Sequence, residues 1–214
     1  MKSLDKILFG FMTGFIFPVT IGLLSVLFWF YTDKQETHAP IYAITGFACG
    51  LLIDLIFLKR WINKLYLLPV WFAGGIYILY NICVYGFFMG FPVFNLLLGL
   101  LAGYYCGNRI YFNDIQPEMR SKLLNQASLF TGLIMTFICV STGIIGLTDK
   151  TTGENIQGML GLDFQITKKM IIAIIFLGGI GLIISQYFIT RLTIIKTIKS
   201  LIKGRYCTAR KHDL

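Results

Sequence analysis

Six long apolar segments constrain this chain more than any other feature of its sequence. They lie at residues 7–31, 41–58, 66–88, 92–108, 123–147 and 170–190. A helix rises about 1.5 Å per residue, so about 20 residues cross a hydrocarbon core that is about 30 Å thick. A soluble domain of 214 residues with 56% hydrophobic residues has too little interior to bury such segments. The sequence therefore predicts an all-α integral membrane protein, built as a bundle of six transmembrane helices.

The basic residues predict how these helices are oriented. Fifteen of the 19 Lys and Arg residues precede the first segment, follow the sixth, or lie in the connections after the second and fourth segments. The other four lie in the remaining connections: Lys34, Lys150, Lys168 and Lys169. Because basic loops stay in the cytoplasm, we expect both termini to be cytoplasmic in a multi-pass protein of the cell membrane. The net charge of +9 is spread over separate loops, which does not indicate nucleic-acid binding.

The chain is predicted to have one membrane domain, residues 1–190, followed by a basic amphipathic cytoplasmic tail, residues 191–214. The apolar residues of this tail fall on one face of a helix: Ile194, Ile195, Ile198, Leu201 and Ile202. Two interpretations are open. Either the tail lies on the inner leaflet, where its lysines attract anionic lipid, or it extends the sixth helix into the cytoplasm.

Small residues recur at every fourth position in several segments. In lipid, helices associate through close packing, which a stripe of small residues permits. The glycines that we expect at such helix contacts are Gly10, Gly14, Gly46, Gly50, Gly99, Gly103 and Gly107. The stripes indicate either a compact bundle alone, or a tight core of the first, second and fourth helices in which the helices can slide. Pro18 predicts a kink in the first helix, because proline removes one backbone hydrogen bond.

Polar residues inside the apolar segments are the candidates for function. Those that we expect to line a solute or proton path are Asp54, Tyr105, Gln126, Gln186, Asn81 and Asn95. The first four are expected at one level near the cytoplasmic side, and the two asparagines nearer the outside. Asp54 is the only charged residue within a segment, and an ionisable group at membrane depth indicates a functional site. The alternative for the neutral residues is that they only form hydrogen bonds between helices.

The sequence carries no motif of an enzyme, a metal site or a cofactor site. HExxH, GxSxG, CxxC and phosphate-binding glycine-rich patterns are absent, and both histidines lie outside the apolar segments. The leading hypothesis is a small transporter, or the membrane-embedded substrate-binding subunit of one, that takes a small solute. The alternative is a non-transporting membrane subunit or scaffold that packs against a partner complex. An intramembrane enzyme comes third, because it needs a second acid, base or nucleophile beside Asp54.

Overall fold

The computed structural model describes most of the chain as helix. The described residues are 10, 14–32, 35–63, 65–67, 69–88, 91–161 and 166–212, without the side chains of 36, 58–61, 63, 65, 159–160 and 204–212. Within these ranges there is no strand. The expected start of the first segment, at residues 7–9, lies outside the described residues.

Seven α-helices and three short 3-10 helices account for the regular structure of the described ranges. The α-helices are α1 (Ile16–Thr32), α2 (Ala39–Asn63), α3 (Val70–Phe87), α4 (Leu96–Phe112), α5 (Pro117–Thr148), α6 (Thr152–Leu160) and α7 (Lys168–His212). The 3-10 helices are Glu36–His38, Leu65–Leu67 and Pro92–Asn95. Of the helices in the described part, α2, α3, α5 and α7 are long and apolar enough to cross a membrane, and α1 is apolar but shorter, with 17 residues. The described part of the chain is therefore all-helical, and four of its helices could cross a membrane by their length and composition.

Local sequence explains where several of these helices begin and end. Pro117 is the first residue of α5, a position where the missing N–H of proline is not needed and its fixed φ suits the helix. The turn between α4 and α5 passes through Asp114, whose φ is +46°. Gly161 ends α6 in the left-handed conformation, with a φ of +60° that glycine adopts without strain. The connection between the fifth and sixth predicted segments thus contains a short helix.

The chain divides into two compact units, Met1–Ile76 and Tyr77–Leu214. In the first unit, α1 and α2 pack antiparallel, with glycines of α2 against the backbone of α1. A Cβ atom placed on Gly46 would lie 2.8 Å from the carbonyl oxygen of Ile21, and one on Gly50 would lie 2.6 Å from the carbonyl carbon of Phe17. Side chains cannot approach backbone this closely, so only glycine permits this contact.

In the second unit, α7 packs along both α4 and α5. A Cβ on Gly103 would lie 2.7 Å from the Cβ of Thr193, and one on Gly107 would lie 2.7 Å from the Cβ of Thr197. Because both positions advance together along the chain, α4 and α7 are parallel. Within the second unit, the glycine face of α4 therefore packs against α7.

The last helix is longer than its apolar segment. α7 has 45 residues, which corresponds to about 68 Å, and it continues without a break past residue 190. Ile194, expected on the apolar face of a surface tail, is fully buried, and Thr197 is 8% exposed. The sixth predicted segment and residues 191–212 thus form one continuous helix.

Candidate functional site

Five buried polar side chains of the second unit form a neutral cluster. They are Asn81, Asn95, Thr131, Gln186 and Thr190, each no more than 2% exposed. Buried polar groups cost free energy unless they are hydrogen-bonded, so their partners decide what this cluster does.

The two asparagines pair across the connection between α3 and α4. The side-chain nitrogen of Asn95 donates to the backbone oxygen of Asn81 at 2.9 Å and to its side-chain oxygen at 3.0 Å. The side-chain nitrogen of Asn81 donates to the backbone oxygen of Tyr77, at 2.8 Å. The side-chain oxygen of Asn95 is buried and accepts no hydrogen bond from the described residues. This pair therefore retains one free acceptor.

Gln186 of α7 lies against α4 at Gly99. A Cβ on Gly99 would come within 2.6 Å of the Gln186 side-chain nitrogen, so a larger residue there would displace the amide. That nitrogen donates to the hydroxyl oxygen of Tyr77, at 2.8 Å. The Gln186 Oε1 atom is buried and has no hydrogen-bond partner in the described part of the chain. Tyr77 thus links Gln186 to the asparagine pair, since Asn81 lies one turn along the same helix.

A short chain of hydroxyl groups lies one turn beyond Gln186. The Thr131 hydroxyl donates to the Thr190 hydroxyl at 3.0 Å, and the Thr190 hydroxyl donates to the carbonyl oxygen of Gly99 at 3.3 Å. These bonds connect α4, α5 and α7. Both threonines are fully satisfied within the protein, so they hold the helices around Gln186 rather than offering free groups.

The structure brings together only some of the candidates from the sequence. Asn81, Asn95 and Gln186 belong to the cluster, although the asparagines were expected in a separate layer. Tyr105 instead accepts a hydrogen bond from the Arg109 side chain, at 3.2 Å, and Gln126 is exposed. Gly99 contacts the cluster directly. The seven candidate packing glycines divide between the units, with Gly10, Gly14, Gly46 and Gly50 in the first and Gly99, Gly103 and Gly107 in the second.

Asp54 lies in the first unit, on α2, and is 4% exposed. Neither of its carboxylate oxygens has a hydrogen-bond partner among the residues that the structure describes. It lies on the same face of α2 as the buried Gly46 and Gly50. Asp54 is therefore a buried polar position of the first unit.

Sequence reasoning missed several members of this region. Tyr77, Thr131 and Thr190 are not among the candidates predicted from the sequence. Arg191 was counted with the tail, yet its guanidinium donates to Asn125 at 3.2 Å and to the Tyr187 hydroxyl at 2.7 Å. Thr190 could have been found from its position one turn after Gln186 on the same helix face.

The described residues do not form a cluster of metal-binding side chains. No three His, Cys, Asp or Glu side chains among them lie close enough together to hold a metal ion. The chemistry of the cluster is that of amide and hydroxyl groups, which bind through hydrogen bonds.

Comparison with known proteins finds no matching family model, no matching curated protein and no matching solved structure.

Proposed function

We propose that the chain is a small membrane transporter, or the membrane-embedded substrate-binding subunit of one, that binds a small polar solute beside Asn95 and Gln186. The observation that supports this is the pair of buried amide oxygens without a donor, one on each of these residues. A buried unsatisfied acceptor costs about 1–3 kcal/mol. A scaffold has no use for unsatisfied acceptors, whereas a solute that donates hydrogen bonds to them would offset their free-energy cost.

The cluster indicates the chemical class of the solute. Both free groups are acceptors, so the solute must carry N–H or O–H donors. The cluster contains no charged side chain, and an unpaired ion is costly to bury, so a neutral solute fits best. The Tyr77 ring lies 5.9 Å from the Phe130 ring and supplies apolar surface next to the amides. A small neutral molecule with an apolar part and hydrogen-bond donors matches this combination.

The membrane arrangement that we propose has six spans, both termini in the cytoplasm and the chain in the cell membrane. It adds α1 and α4 to the four candidate spans. The helix directions in the second unit support it: α4 and α7 are parallel, while α5 and α7 are antiparallel, since Thr131 bonds to Thr190 and Gly143 faces Ile175. This alternation is the one expected of three successive spans. The lipid bilayer, with anionic lipid around the lysines of α7, completes the proposed partners.

The experiment compares two glutamine variants of the purified protein. Gln186→Met preserves chain length and removes the amide, and Gln126→Met makes the same change at an exposed position. Native mass spectrometry first searches for a retained small molecule, and a thermal-shift screen of neutral hydrogen-bonding solutes follows. We expect a solute that stabilises the wild type and Gln126→Met, with affinity about tenfold weaker in Gln186→Met because one ligand hydrogen bond is lost.

Two results would contradict this proposal. A solute that binds both variants equally would place its site elsewhere. A purified protein that retains a companion subunit, and that no solute in the screen stabilises, would favour the scaffold.

A further inference from the structure

Asp54 is the one buried carboxylate of the described residues, and it lies where α2 packs against α1. Gly46, Gly50 and Asp54 follow one another at intervals of four and are all buried, so they share one face of α2. The glycines of this face contact the α1 backbone directly. A carboxylate at membrane depth must be neutral, paired or hydrated, yet both oxygens of Asp54 lack a hydrogen-bond partner in the described part of the protein.

The α1 helix has a matching irregularity. Pro18 is buried and has no N–H, so the carbonyl oxygen of Gly14 lacks the donor that an α-helix normally supplies four residues later. The regular pattern resumes at the next residue, where Val19 donates to the Phe15 oxygen at 3.1 Å. The nearby hydroxyl of Thr20 donates to the Ile16 oxygen, at 2.6 Å. The Gly14 carbonyl is therefore the acceptor that the local helix leaves without its usual partner.

The register of the two helices brings this carbonyl to the level of Asp54. The carbonyl of Ile21 faces Gly46, because a Cβ on Gly46 would lie 2.8 Å from it. Gly14 lies two residues before α1 and precedes Ile21 by seven residues, or about two turns, so helical spacing places its carbonyl on the same side as that of Ile21. In an antiparallel pair, two turns back along α1 correspond to two turns forward along α2, from Gly46 to residues 53–54.

We propose that Asp54 is a proton-binding site in which the neutral acid donates a hydrogen bond to the Gly14 carbonyl that Pro18 leaves without a donor. The site takes up one proton as its ligand and releases it when the carboxyl group reaches water. The contact between α1 and α2 then depends on protonation, since the ionised group can only repel a carbonyl oxygen. The site lies in the first unit and does not rest on the solute site of the second unit.

The described elements that form this contact contain few other groups that titrate. Besides Asp54, α1, the 3-10 helix Glu36–His38 and α2 contain these titratable or charged residues: Tyr31, Glu36, His38, Tyr42, Cys49, Lys59 and Arg60. None lies within one turn of Asp54 on α2, where residues 50–58 are otherwise apolar. On α1 the only such residue is Tyr31, at the end of the helix remote from Pro18. A proton bound near this position is therefore assigned to Asp54.

The test uses dicyclohexylcarbodiimide, an apolar reagent that adds to protonated carboxylic acids, on the purified full-length protein at neutral pH. We expect mass spectrometry to find the adduct on Asp54 and its loss in Asp54→Asn. Pro18→Ala restores an N–H that competes for the Gly14 carbonyl, so the labelled fraction should fall about fivefold, as expected for one ordinary hydrogen bond. Pro40→Ala is the matched control, because Pro40 is in the first turn of α2, where the N–H is not needed.

Several results would overturn the proposal. An unlabelled Asp54 in the wild type at neutral pH would show an ionised or paired carboxylate. Equal labelling of the wild type and Pro18→Ala would exclude the Gly14 carbonyl as the acceptor. If Pro18→Ala does not fold, infrared difference spectra of the wild type and Asp54→Asn decide the matter: we expect a carboxylic-acid carbonyl band that only the wild type shows, and its absence refutes the site.

Discussion

The contact between α4 and α7 leads to a quantitative prediction for Gly103→Ala. A Cβ on Gly103 would lie 2.7 Å from the Thr193 Cβ, 2.8 Å from the Thr190 carbonyl oxygen and 3.2 Å from the Thr193 Cγ2. Ordinary van der Waals contact between carbons begins at about 3.5 Å. The two helices must therefore separate by several tenths of an ångström or more, and two of these three atoms belong to backbone or to Cβ and cannot rotate away.

Such overpacking typically costs about 1–3 kcal/mol. For a chain of this size, each kcal/mol lowers Tm by about 2–4 °C, so Gly103→Ala should lower it by about 2–12 °C. The assay is thermal unfolding of the purified protein in detergent, followed by fluorescence-detected size exclusion. Gly178→Ala is the matched control, because a Cβ on that glycine of α7 meets nothing within 4 Å. We expect its Tm to be unchanged or slightly higher, since alanine favours helix. Equal Tm values for the two variants would refute the close contact between α4 and α7.

Three further predictions concern the termini, the lipid and one acidic residue. Cysteine introduced at Thr152 should react with an impermeant maleimide in intact cells while Cys207 should not, and the opposite pattern would overturn the proposed topology. Three exposed lysines of α7 lie after residue 190: Lys196, Lys199 and Lys203. Replacing all three by glutamine should reduce the amount of anionic lipid that co-purifies with the protein, and an unchanged amount would refute their role in lipid binding. The Thr151 backbone N–H and hydroxyl donate to Asp149, which holds the pKa of that carboxyl below its ordinary value of 3.8. The ionised Asp149 carboxylate therefore stabilises the start of α6 above pH 3.8, and this stabilisation is lost as the pH falls through the lower pKa of the folded state. Asp149→Ala should accordingly speed amide hydrogen exchange in α6 at neutral pH but not at strongly acidic pH.

The apolar segments could be predicted from the sequence because their length and composition alone require burial in lipid. Their ends could not be predicted equally well. The helix α5 begins at Pro117, six residues before the predicted segment. Its first turns are helical but polar, so an apolar segment does not include them. Likewise, α7 continues past residue 190, because the hydropathy that marks the edge of a membrane does not mark the end of a helix.

The candidate site shows a similar limit. A glycine stripe identifies the face of α4 that packs closely, but any helix with room for it could be the partner, so α7 could not be identified from the sequence. The bond between Gln186 and Tyr77 joins residues 109 positions apart and depends on the register of two helices. Counting residues inward from each segment end placed Asn81 and Gln186 in different layers, because segment ends are poor markers of depth. Asp54 could be identified because a single charge in an apolar segment needs no partner to be noticed.

The spacing of the contacts between α4 and α7 has a mechanical consequence. Gly99, Gly103 and Gly107 leave three gaps on the surface of α4, one turn apart. Thr193 of α7 fills the gap at Gly103, and Thr197 fills the gap at Gly107. A displacement of α7 by one turn, about 5.4 Å, would move Thr193 to a neighbouring gap, whereas a displacement by half a turn would press it against a larger side chain of α4. The spacing of these contacts therefore favours positions of α7 on α4 that differ by whole turns. A continuous helix of 45 residues would carry each such step along its whole length.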